Sequence, residues 1–267
     1  MVLRHFITFI LLYFTLQINS QNTYSKQVVR FNIEAPQLET TKRIWLYLPK
    51  NYQTSGKAYP VIYMHDAQNL FDEHTAFANE WKIDEFLDTL KTQESIIVGI
   101  EHGNEKRIEE LTPFTHETHG GGGGDAYLNF IVETLKPAID DRYHTLKHPE
   151  HTTIFGSSLG GLMALYGIIT YSEIFGKAGI FSPALWINPD IYDVIKQSTI
   201  PKHVRLYIMA GNNESETMVA NVEKLSTLLL EKGIDETQLQ VKIVEGGEHN
   251  EIFWSKEFKD AYFWLYK

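Results

Sequence analysis

The chain has no cysteine. Disulfides are therefore excluded, and so is a lipid anchor on an N-terminal cysteine. Stability must come from a packed core, for which 267 residues suffice. Beyond the N-terminus, no apolar stretch is long enough to span a bilayer. Positive charge is also scarce: 24 Lys and Arg stand against 34 Asp and Glu, a formal charge of −10 with His neutral. This argues against partners such as nucleic acid or an anionic membrane surface. There is no internal repeat, charge block or linker-like stretch. The one low-complexity patch is the run of five glycines at residues 120–124. It has no Gly-Lys-Ser/Thr after it, so it reads as a flexible loop rather than a phosphate cradle.

What is present begins with Met1-Val2-Leu3-Arg4-His5, a short basic start. An almost wholly apolar run from Phe6 to Ile18 follows, with Ser20 as a small residue before Gln21. This is the pattern of a secretory signal peptide over residues 1–20. The run is too short for a comfortable membrane span. The expectation is a secreted or periplasmic protein with one domain over residues 21–267 and no stable membrane insertion after cleavage.

Residues 28–33 and 43–48 are β-rich and suit an antiparallel edge pair. From Pro60 onward short apolar strands alternate with helical periods. Strands are expected at residues 61–64, 96–100, 152–155, 178–181, 204–209 and 239–244. Helical spacing links Ile83, Phe86, Leu87 and Leu90, then Tyr127, Phe130, Ile131 and Leu135, then Met218, Val222, Leu225 and Leu229. The aromatic C-terminal segment, 253–266, reads as a helix. Repeated β-α units imply an α/β fold, a mostly parallel central sheet with helices on both faces. In such sheets functional residues sit at the carboxyl ends of strands.

Gly156-Ser157-Ser158-Leu159-Gly160 is a G-x-S-x-G run. The pentapeptide alone is weak, but a short apolar strand precedes it and an apolar helix follows. That is the setting of a nucleophile elbow with Ser158 at the turn. A serine needs a base, normally His, oriented by a carboxylate. Glu214 and His249 follow expected strand ends downstream, giving the order Ser, acid, His found in α/β-hydrolases. Glu216, two residues on, competes with Glu214 for the acid role. Oxyanion stabilisation requires backbone N–H groups. Leu159, after the nucleophile, supplies one, and Gln68, in the loop after an early strand, is chosen for the second. His65 and Asp66 precede it and are read as positioning residues. His144, His148 and His151 superficially suit a metal, but Pro149 breaks any helix that would align them, and no metal site is read.

Several segments together resemble the esterase family of α/β-hydrolases that groups enterochelin (siderophore) esterases, feruloyl and acetyl esterases and S-formylglutathione hydrolase. They are residues 63–72 (His65-Asp66-Ala67-Gln68-Asn69-Leu70-Phe71), Glu110-Leu111-Thr112-Pro113 and the glycine run with Asp125-Ala126-Tyr127. Residues 135–140 and 156–161, Ser182-Pro183-Ala184-Leu185-Trp186 and Gly247-Glu248-His249-Asn250 complete the set. The resemblance implies an α/β-hydrolase fold and ester hydrolysis without a cofactor. It implies Ser158 as nucleophile, His249 as base, Glu214 as acid, and Gln68 with Leu159 as oxyanion donors. Ala67 departs from the glycine usual in that loop, and the acid is Glu where some members carry Asp. Trp186 and Asp66 are the substrate-binding residues expected. The loop from His102 to Pro113 is a further cleft wall. The expected substrate is a small-molecule or polysaccharide-linked ester, with sugar-linked feruloyl or acetyl groups and siderophore esters foremost. The alternatives are an acyltransferase with the same triad and a non-catalytic binding domain on the same fold.

Overall fold

The computed structural model describes residues 22–267. The signal segment read at residues 1–20 lies outside them. β1 (Val28–Ala35) and β2 (Thr40–Tyr47) pair antiparallel around a short turn. Then come α1 (Tyr52–Ser55), β3 (Val61–His65), α2 (Ile83–Asp88), β4 (Ile96–Ile100), α3 (Arg107–Glu110), α4 (Gly124–Asn129) and α5 (Lys136–Arg142). A π-helical turn, Phe130–Leu135, joins α4 to α5. The second half runs β5 (Thr152–Ser157), α6 (Leu159–Thr170), β6 (Lys177–Phe181), α7 (Ile191–Gln197), β7 (Arg205–Gly211), α8 (Met218–Glu231), β8 (Leu239–Val244) and α9 (Glu251–Leu265).

The strands form one eight-stranded sheet in the order β1-β2-β4-β3-β5-β6-β7-β8. From β4 to β8 all neighbours are parallel, and β1 and β2 are the antiparallel exceptions. The central strands are buried on both faces, which is why they read as continuous apolar runs. Side chains alternate between two cores. Val61, Tyr63, Ile154 and Ile180 meet Leu162, Leu165, Leu225 and Leu229 on one face. Ile62, Met64, Phe155 and Phe181 meet Ile83, Leu87, Phe258 and Tyr262 on the other. Phe155 lies at the centre of the second core, with ring centroids 4.9 Å from Phe181 and 5.2 Å from Phe258. Its ring also uses the space above Gly179, where a Cβ would come within 2.0 Å. Truncating such a ring costs about 3–5 kcal/mol.

The glycine run is a packed turn, not the flexible loop its composition suggests. Gly120, Gly121 and Gly122 have φ of +70°, +89° and +106°, which favour glycine. A Cβ on Gly124 would lie 2.8 Å from the Thr112 carbonyl oxygen. The run therefore folds back on the segment around Thr112 and opens α4.

Candidate active site

The carboxyl ends of β5, β7 and β8 bring Ser158, Glu214 and His249 together. Ser158 sits between β5 and α6 with φ 57° and ψ −120°, a conformation an L-residue adopts only under constraint. The constraint is visible. Ser158 N–H donates to the Phe181 carbonyl at 2.9 Å, and the Ser158 carbonyl accepts from Leu162 and Ala184 N–H, each at 3.0 Å. Glycine is required at Gly156, where a Cβ would lie 2.5 Å from the Gly160 backbone, and Gly160 leaves little room, with a Cβ there 3.1 Å from His65 Cβ.

His249 Nε2 lies 3.0 Å from Ser158 Oγ, and its Nδ1 lies 2.6 Å from Glu214 Oε2. The Glu214 side chain is wholly buried, while Glu216 is exposed. The other Glu214 oxygen, Oε1, accepts from Gly211 N–H at 2.5 Å and from Ser182 Oγ at 2.7 Å. Ser182 Oγ in turn accepts from Trp254 Nε1–H at 2.8 Å, and the Trp254 ring meets the His249 ring edge-on at 4.8 Å. One aromatic side chain therefore supports both the acid and the imidazole. The acid and histidine loops are stitched together: Asn213 N–H donates to Gly247 at 3.0 Å and Gly246 N–H to Asn212 Oδ1 at 2.7 Å.

Opposite, β3 ends at His65 and turns through Asp66, whose φ is 56°. The N–H groups of Ala67, Gln68 and Leu159 have no acceptor among the described residues. The Ala67 methyl is buried against Gly99, whose missing Cβ leaves the room for it. Arg107 grips Asp66 with two hydrogen bonds, Nε to Oδ1 at 2.8 Å and Nη2 to Oδ2 at 2.9 Å. Burial pulls the Asp66 carboxyl up, but the guanidinium outweighs it and holds the carboxyl below its ordinary value. Arg107 is placed by α3, which is anchored by the buried Lys42–Glu110 pair at 2.8 Å. His65 is enclosed, with Nδ1 2.8 Å from Tyr127 Oη, and burial lowers its pKa to about 4. It is a neutral packing group beneath the elbow.

Ser158 and Arg107 line two adjoining cavities, of about 430 Å3 and 360 Å3. The first reaches Trp186, His119 and Met218; the second reaches Asp66, Phe77 and Trp254. Trp186 is 54 % exposed and stands edge-on to His119 at 5.4 Å. The residues read for this site therefore gather around Ser158, except that Gln68 lines neither cavity. Sequence reading missed Arg107, His119 and Ser182 as individual residues. Arg107 lies within the loop from His102 to Pro113 read as a cleft wall, Ser182 opens the segment Ser182-Pro183-Ala184-Leu185-Trp186, and His119 stands just before the glycine run, but none of these patterns singles out the residue.

The strand order, the strained serine between a parallel strand and a helix, and the acid and histidine on later strand ends define an α/β-hydrolase. Residues 35–265 match the family described as "Putative esterase". The chain belongs to that family and is a carboxylic ester hydrolase. It is 28 % identical over 238 residues to the protein YbbA of Bacillus subtilis, covering 84 % of this chain and 92 % of YbbA. It is 32 % identical over 151 residues to the ferri-bacillibactin esterase BesA of the same organism, covering half of each chain. The fold is shared with the crystal structure of the BES protein from Bacillus cereus, at TM-score 0.75 and 22 % identity, over 93 % of this chain and 98 % of that one. Among the described residues no helix is long and apolar enough to cross a membrane.

Proposed function

We propose that the chain is an exported serine esterase acting through Ser158, His249 and Glu214. The carrying observation is the unbroken hydrogen-bond chain from Ser158 Oγ through His249 to Glu214. Ser158 Oγ attacks the ester carbonyl carbon as His249 Nε2 takes its proton. Glu214 keeps the imidazole in the tautomer with Nδ1–H and stabilises the cation that forms. The negative charge on the carbonyl oxygen meets the N–H of Leu159, which lines the cleft, and the second donor is assigned to the free N–H of Gln68 in the turn after β3, although Gln68 lines neither cavity. Collapse breaks the bond to the alcohol oxygen, which leaves with the proton from His249. Water then attacks the acyl-serine, His249 again takes the proton, and the acid is released.

The cleft supports a substrate reading. Trp186 and His119 offer ring edges and faces beside Ser158, which favours planar acyl groups. The BesA relative is, by its name, an esterase of ferri-bacillibactin. The substrates proposed here are aromatic or short acyl esters of a siderophore or sugar, met outside the cytoplasm after loss of residues 1–20. The test is kcat/KM over siderophore, feruloyl, acetyl and long-chain acyl esters. Preference for the long chain would reject this substrate class, and failure of any ester to turn over would reject the catalytic reading.

A further inference from the structure

A second cluster of titratable groups lies away from Ser158, around the start of α2. Glu80, Asp84 and Glu85 each bring one carboxylate oxygen to within 4.8 Å of the others. Glu80 is 5 % exposed and Asp84 fully buried. Glu80 Oε1 and Asp84 Oδ1 are both buried without a hydrogen-bond partner. No Lys or Arg forms an ion pair with any of the three among the described residues. The second Asp84 oxygen is used, accepting from Ser25 N–H at 2.5 Å. Ionised carboxylate oxygens accept only, so leaving two of them buried and unmatched is costly unless a cation or a proton meets them.

We propose that Glu80, Asp84 and Glu85 form a site for a hard divalent cation, calcium, that fastens the start of α2 to the N-terminal segment. The donor set is all oxygen, without His or Cys, which suits calcium or magnesium rather than zinc or copper. Calcium fits better, because it accepts irregular sets completed by carbonyls and water, whereas magnesium demands a near-octahedral shell. The site reaches the rest of the fold through Trp81, whose ring packs 6.0 Å from Phe181 and 6.1 Å from Trp254. The rival way to discharge the cluster is a shared proton. Burial, ahead of repulsion from Glu85, pushes Glu80 up to about 7; burial, against the Ser25 N–H and with a hydrogen bond shared with Glu85, pushes Asp84 up to about 8.

The test uses the purified protein stripped with EDTA at pH 8. Calcium is titrated in a thermal melt, with magnesium in parallel, and terbium luminescence is excited through Trp81. The expected result is a saturable rise in Tm, about 5 °C at roughly a hundredfold excess over Kd. Terbium emission should be competed by calcium. Both signals should vanish in Asp84→Asn and Glu80→Gln, which should melt in EDTA no lower than the parent. The Asp84→Asn side chain still offers an oxygen to Ser25 N–H. An absent or non-saturating shift, an equal response to magnesium, or terbium emission that calcium does not displace would overturn the proposal on the parent protein alone. Variants that melt well below the parent in EDTA would overturn it in favour of the shared proton.

Discussion

At the elbow, Ser158 is held by three backbone hydrogen bonds and by Gly156, whose Cβ position is taken by the Gly160 backbone. At the rim of the cleft, Trp186 is 54 % exposed and Phe77 89 % exposed, although Ala184, Leu185 and Ile187 beside Trp186 are buried in the core. The chemistry needs a fixed geometry and is carried by strand ends. Selection among esters needs only a wall of suitable shape, and loops can supply it. The elbow should therefore govern turnover of every substrate, and the rim the ranking among substrates.

The strongest way to break this contrast is at Ser158. Ser158→Ala should lower kcat by about three orders of magnitude or more on all esters while leaving the fold intact, and Ser157→Ala should be far milder. The next largest effect is expected at the acid. Glu214→Gln should lower kcat by roughly two to four orders, because the imidazole loses its orienting charge, with Glu216→Gln near the parent. A reversed ranking in steady-state kinetics would move the acid role to Glu216. Arg107 sharpens the boundary between the regions, since it lines the cleft yet clamps the turn that carries Gln68. Arg107→Ala should lower kcat about ten- to a hundredfold, with a smaller change in KM, and Arg107→Lys should recover only part of it. A pure KM effect would make Arg107 a rim residue.

His65, beneath the elbow, gives a pH signature. Its folded pKa of about 4 lies below its ordinary value of about 6.5. The unfolded chain therefore binds the proton first as pH falls. The contribution is whole above about 6.5 and is lost on acidification toward 4. Asp66, also held low, acts in the same direction at lower pH. Urea midpoints should fall from pH 7 to pH 4.5, and His65→Gln should flatten the upper part of that fall. The smallest effect belongs to the rim: Trp186→Ala should cost aromatic esters several-fold in kcat/KM and acetyl esters little. Equal losses on both would erase the distinction.

The same contrast explains what is legible in the sequence. The sheet and the convergence of Ser158, Glu214 and His249 are readable because apolar runs mark buried strands and functional residues follow strand ends. The preference for Glu214 over Glu216 rests on Gly211 N–H and Ser182 Oγ, and the Ser182 contact crosses 32 positions that local spacing does not report. Arg107 is 41 residues from Asp66, in a helix of four residues with no pattern of its own. The glycine run misleads because composition records freedom to bend and not the neighbours that fill the space. His116 and His119 meet Trp186 from a tight turn over residues 116–120, closed by the pairing of His116 with Gly120 at the start of that run.

The most direct measurement is the site of covalent capture. The protein is treated with a fluorophosphonate, digested, and the adduct mapped by mass spectrometry, with Ser158→Ala and Ser157→Ala in parallel. The account predicts a single adduct on Ser158, formed in Ser157→Ala and absent from Ser158→Ala. An adduct on Ser157, or none on the parent protein, would contradict it.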